Sequence, residues 1–213
     1  MRPARPAAWW LAMAALGLPA LLLPQVDLNA PDAAWPEVAH ALVLHPDLGL
    51  GQPAWVWWTT AWLHGSAPHL WRNLGAWLLI AALGHVWRAG RTDAWLLAAL
   101  AWPLTQLGMV AQTSLHHYVG LSGVLHAAAA LLLTQRLLAP DRHEPRWALG
   151  LALAALIAKT LMENPWQFTL VADPRSAINV APWVHFCGAI TGSMLGGLRS
   201  VLRNKRAARA SAC

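Results

Sequence analysis

The chain has 213 residues, of which 57% are hydrophobic and only 11% charged, against about 25% charged in an ordinary soluble domain. Its formal charge of +6 comes from cations scattered in loops and a tail, which excludes a nucleic-acid-binding face and reads instead as a membrane-topology signal. Two cysteines, Cys187 and Cys213, exclude a disulfide framework.

Six apolar stretches approach the roughly 20 residues a helix needs to span a bilayer. They are residues 8–24, 70–86, 94–111, 119–138, 147–161 and 180–198. The expected fold is all-α: a polytopic membrane protein forming one six-helix bundle over residues 1–213. Residues 1–7 form a cytoplasmic N-terminus, 8–24 the first helix and 25–69 an outer loop. Residues 70–198 supply five further helices, and 199–213 a basic cytoplasmic tail.

The first stretch also reads as a signal peptide, with Arg2 and Arg5 ahead of it and Leu28-Asn29-Ala30 as a cleavage-like site. A retained helix is the favoured reading. With both ends in the cytoplasm, 12 of the 15 lysines and arginines fall on the inner side, as the positive-inside rule requires. The loop that follows is rich in proline and tryptophan (Trp35, Trp55, Trp57, Trp58, Trp62), and is expected to lie in the outer interface.

The second helix carries His69 and Asn73, four residues apart and so on one face. Both can donate to an oxyanion; both could equally be polar glue between helices. The fourth begins with Gly120-Leu121-Ser122-Gly123. Ser122 near a helix start has its own N–H unpaired and the positive dipole end beside it. Gly120 and Gly123 keep bulk away from it. Taken alone, the motif reads slightly better as a small-residue helix contact.

On the sixth helix, His185, Gly188, Gly192 and Gly196 step by three and four along one face. Three glycines allow close approach of a partner helix, and Gly123, Ala127 and Ala130 form a matching stripe on the fourth. His185 can thus reach Ser122 as its base; a histidine bonded to a backbone carbonyl is the plainer alternative. Lys159 and Glu163 form an i, i+4 pair read as structural. Cys187 reads as packing. No metal and no cofactor is expected.

His64 with His69-Leu-Trp-Arg-Asn73, Gly-Leu-Ser122-Gly, and His185-Phe-Cys-Gly188 resemble the motifs of rhomboid intramembrane serine proteases, over about residues 55–198. The resemblance implies Ser122 as nucleophile and His185 as base, in a dyad with no acidic third member. His69, Asn73 and the Ser122 N–H would form the oxyanion hole, with Gly120, Gly123, His64, His126 and Gly188 supporting the site. The partners would be a membrane-protein substrate helix and the lipid bilayer. The location would be the bacterial inner membrane, with the site towards the outer face.

Two features depart from the family pattern: Val184 stands beside the histidine where alanine is common, and His126 where tyrosine often packs on the base. Arg72 is read as snorkelling towards headgroups. Gly-Leu-Ser-Gly-Val-Leu-His126 most resembles rhombosortases, thought to process C-terminal Gly-Gly, apolar-helix, basic-tail signals. A catalytically silent rhomboid-like protein that binds membrane clients, and a histidine-lined transporter, are the rival readings.

Overall fold

Several helices start at a proline or a small polar residue: Pro36, Ser66, Pro145 and Pro182. The computed structural model describes residues 7–139, 144–175 and 177–211; Arg2, Arg5, Arg142 and Cys213 lie outside them. The elements in order are α1 (Ala7–Gly17), α2 (Glu37–Leu42), α3 (Val56–Thr59), α4 (Ala67–Val86), α5 (Arg91–Trp95), α6 (Trp102–Leu107), α7 (Ser122–Leu138) and α8 (Arg146–Met162). A small antiparallel pair, β1 (Val171–Asp173) and β2 (Ile178–Val180), precedes the long α9 (Pro182–Ser211).

Each of the six apolar stretches holds helix. Among the described residues, Arg91–Ala111 is the helix long and apolar enough to cross a membrane, while Ala7–Leu21 and Ser122–Leu138 are shorter apolar helices. Large apolar side chains such as Leu11, Leu79, Trp95, Trp147, Leu151 and Met194 stand exposed.

α7 is the central helix. It buries residues all round, from Gly123 and Val124 to Leu131 and Leu132, as a helix apolar on every face must. α9, α8, α6 and α4 pack against it. α1 is part of the same core: Trp9, Met13 and Leu16 are fully buried, and Trp9 Nε1 donates to the Ala81 carbonyl of α4 at 3.1 Å.

Residues 91–111 are continuous helix but not uniform. Leu96–Ala101 widens to a π-turn, where the Trp102 N–H reaches back to the Leu97 carbonyl. The next donor in that register would be residue 103, a proline with no N–H. The Ala98 carbonyl therefore lacks a helical partner, and the Trp58 indole supplies one at 2.8 Å. Tryptophan plays this part elsewhere: Trp62 donates to Ala15, Trp77 to Met13 and Trp183 to Gly108. The loop tryptophans were expected at the lipid interface. Trp55 is exposed, but Trp35 is buried, bonded to the Asp27 carbonyl, and Trp58 and Trp62 staple the loop to the bundle. An indole N–H needs a partner when buried, and a bent helix has carbonyls to offer.

The basic segment after Leu198 continues α9 as helix. Arg, Lys, Ala and Leu are good helix formers and no glycine or proline interrupts them. Arg199 also reaches Asp93 at 3.5 Å, and Ser200 Oγ bonds the Gly196 carbonyl.

Candidate active site

Ser122 is the first residue of α7. The backbone just before it is pinned on both sides. Tyr118 pairs with Leu44 in an antiparallel bridge, the Thr60 hydroxyl donates to the Tyr118 carbonyl, and the Gly120 N–H donates to the Thr60 carbonyl at 3.0 Å. Gly120 has φ +135°, and a Cβ there would meet the His69 ring at 3.0 Å. Only glycine suits that turn. Burial pushes the Tyr118 phenol well above its ordinary range, and its hydroxyl donates to the Gly120 carbonyl at 3.2 Å. The result is a rigid presentation of Ser122 at the mouth of the bundle.

α9 brings His185 to it. Added Cβ atoms at Gly188 and Gly192 would overlap the Gly123 and Ala127 carbonyls, and one at Gly196 would press on Leu131. The glycine stripe thus packs as its spacing predicts, although its third partner is Leu131 rather than Ala130. Val184 is fully buried against Gly123, so this departure from the family pattern does not loosen the contact. Cys187 packs on Gly108. Ser122 Oγ and His185 Nε2 stand 2.9 Å apart.

The other nitrogen of His185 has a partner that the sequence reading did not foresee. Nδ1 lies 2.7 Å from Glu163 Oε2, and Glu163 Oε1 lies 2.8 Å from Lys159 Nζ. Lys159 Nζ is also 3.0 Å from His126 Nε2, while His126 Nδ1 bonds the Ser122 carbonyl at 2.7 Å. The two imidazoles stack, with centroids 4.4 Å apart at 21°. Five groups close a ring. Burial opposes the Glu163 carboxylate, but the contacts of His185 and Lys159 outweigh it and hold the carboxyl below its ordinary range. The i, i+4 spacing of Lys159 and Glu163 was legible; that both point across to α7 and α9 was not. The resemblance implied no acidic group on the base, and the structure puts one in contact with it.

His69 and Asn73 sit on the first turns of α4, which Ser66 caps by accepting from the His69 N–H at 3.2 Å. Both are buried. Asn73 Nδ2 and His69 Nδ1 have no hydrogen-bond partner among the described residues. A buried donor left unpaired costs about 1–3 kcal/mol. His64 packs its ring against His69, centroids 4.9 Å apart; burial lowers its imidazole to about 4.

A cavity of about 370 Å³ is lined by His69, Asn73, Ser122, His126, Glu163 and His185. A smaller one of about 90 Å³ reaches Ser122 and His69 from the side of Leu28, His117 and Tyr118. β2 contributes to the walls of both, and β1 to those of the larger. Arg72, expected to reach for headgroups, pairs instead with Asp173 of β1. His116, outside both cavities, pairs with Asp47 at 2.9 Å and lowers that carboxyl, while His117 on the smaller cavity meets Trp35 edge-on.

Ser122 and His185 thus meet at the edge of a cavity walled by helices and the β1–β2 pair. The rhomboid domain model matches residues 52–201, and the chain belongs to that family. Rhomboids are integral membrane proteins, in general serine proteases that act on membrane-protein substrates within the bilayer. No curated protein matches the chain.

Proposed function

We propose that this chain is an active intramembrane serine endopeptidase that cleaves in or beside a transmembrane segment of another membrane protein. The observation that carries the reading is the 2.9 Å approach of Ser122 Oγ to His185 Nε2, within the range a nucleophile and its base require. His185 Nε2 takes the Ser122 proton as Oγ bonds to the scissile carbonyl carbon. The C–N bond then breaks, and the leaving amine takes that proton. Water, deprotonated by the same nitrogen, then bonds to the acyl carbon, and the bond from that carbon to Oγ breaks as Nε2 returns the proton to Oγ. The oxyanion is held by the Ser122 N–H, His69 and Asn73. The unpaired Asn73 amide supports this role.

Six spans with both termini in the cytoplasm account for the cation distribution. They place the starts of α4, α7 and α9 and the end of α8 together, at the outer side of the bacterial inner membrane. The Gly-Leu-Ser-Gly-Val-Leu-His126 stretch supports a rhombosortase-like role, in which the substrate ends in Gly-Gly, an apolar helix and a basic tail.

The test uses purified protein in liposomes with a helical substrate carrying that C-terminal signal. Wild type is expected to cleave, and Ser122→Ala and His185→Ala to lose cleavage. Cleavage by either variant defeats the reading. Mapping the C-termini of outer-face proteins in cells with and without active Ser122 tests the sorting-signal role; unchanged termini would overturn it.

A further inference from the structure

We propose that Glu163 is the positioning carboxylate of this site, and that Lys159 holds both Glu163 and His126 in the states the site needs. The inference rests on the peptidase reading of Ser122 and His185. A carboxylate only accepts hydrogen bonds, so its 2.7 Å contact with His185 fixes the ring proton on Nδ1. Nε2 then turns its lone pair to the Ser122 hydroxyl. The opposite tautomer would set a lone pair against the carboxylate and a proton against the nucleophile. When Nε2 takes the Ser122 proton, the imidazolium forms in contact with an anion already in place.

The rest of the ring protects that arrangement. The carboxylate divides its oxygens, Oε1 to Lys159 and Oε2 to His185, so Lys159 fixes its direction without displacing it from the base. His126 donates its Nδ1 proton to the Ser122 carbonyl, which leaves Nε2 as a lone pair for the Lys159 ammonium. A protonated His126 would have no acceptor to offer. Lys159 therefore keeps His126 neutral, and no second cation stacks 4.4 Å from the imidazolium. The titratable and charged groups facing His185 are Ser122 and His126 from α7, Lys159 from α8, Glu163 just beyond it, and His69 from α4. An exposed helix pair needs no such convergence; here every polar atom of Lys159 and Glu163 named above meets a second element or its partner.

The experiment compares full-length wild type, Glu163→Gln, Glu163→Asp and Ser122→Ala in liposomes. Glu163→Gln is expected to lower kcat by about 100-fold or more, with KM changed less than about threefold, as loss of an orienting carboxylate does elsewhere. The acid limb of its kcat/KM profile should move to lower pH, because the imidazolium loses its anion. Glu163→Asp should recover part of the loss. Histidine-selective ¹⁵N NMR should show one strongly deshielded Nδ1 proton in wild type and in Ser122→Ala. Wild-type kcat and an unmoved pH profile in Glu163→Gln overturn the proposal. Absence of the deshielded proton from Ser122→Ala overturns it too, whatever the yield of folded Glu163→Gln. Cleavage by Ser122→Ala would sink the peptidase reading instead, while the resonance still judges the Glu163 contact.

Discussion

The Cα of Gly188 on α9 faces the carbonyl of Gly123 on α7 so closely that a Cβ there would overlap the oxygen. The carbonyl is backbone inside a helix and cannot rotate aside, so one added methyl must push the helices apart. Those same helices carry His185, one turn from Gly188, and Ser122, next to Gly123. Gly188→Ala is expected to cost about 1–3 kcal/mol by overpacking and to lower cleavage far more, since 1 Å of misplacement can cost about 100-fold in rate. Gly197→Ala is the control, because a Cβ there meets nothing within 4 Å. Thermal unfolding in detergent and cleavage in liposomes read the two effects; equal behaviour of the two variants would contradict the packing argument.

Asn73 separates function from stability in the opposite direction. Its amide is buried with Nδ2 unpaired among the described residues, a state that destabilises the resting protein. If the oxyanion is its partner, Asn73→Ala should lower kcat by about 100- to 1,000-fold, the usual effect of losing one such donor. The same change should leave the melting temperature unchanged or higher. A fall in both would make Asn73 a structural residue.

His64 predicts a pH dependence of stability. Burial brings its imidazole down to about 4 in the folded chain, against an ordinary value near 6.5 when unfolded. Above pH 6.5 the group is neutral in both states and carries no penalty. Between pH 6.5 and 4 the unfolded chain binds a proton that the native state refuses, so stability falls with pH, by roughly 3 kcal/mol in all. His64→Gln should remove that component. Denaturation at stepped pH, compared between the two proteins, should show curves that diverge below pH 6.5; parallel curves would refute the assignment.

The helices, the glycine stripe and the Ser122–His185 approach were legible because they follow from local rules. Apolar length marks helices, and a three-four spacing of small residues marks a close helix contact, two of whose three partners here, Gly123 and Ala127, are small as well. What was not legible depended on tertiary direction. Glu163 stands one residue beyond α8, where a carboxylate normally faces solvent, and nothing in the chain says that α8 turns this end inward. Arg72 has an apolar neighbourhood that favours snorkelling, and its capture by Asp173 needs the β1–β2 pair to fold back over the pocket. The tryptophans misled in part for the same reason: composition marks indoles as interfacial, but only a bent helix reveals which carbonyls want a donor.

The clearest such case yields a coupled prediction. The Ala98 carbonyl has lost its helical donor because Trp102 bonds Leu97 and residue 103 is proline. Trp58→Phe keeps the ring and removes the N–H, leaving that carbonyl unsatisfied at a cost of about 1–3 kcal/mol. Pro103→Ala restores a backbone N–H at the position that reaches Ala98 in the same register. In the wild type the new donor meets a carbonyl already served, so it gains little. In Trp58→Phe it meets an empty one. The double variant should therefore be more stable than the two single changes sum to, by about 0.5–2 kcal/mol, a typical coupling for residues sharing a hydrogen-bond partner. Denaturation of all four proteins in the same micelles completes the cycle. Strict additivity would mean that Trp58 contributes only by packing, and that the Ala98 carbonyl is satisfied in some other way.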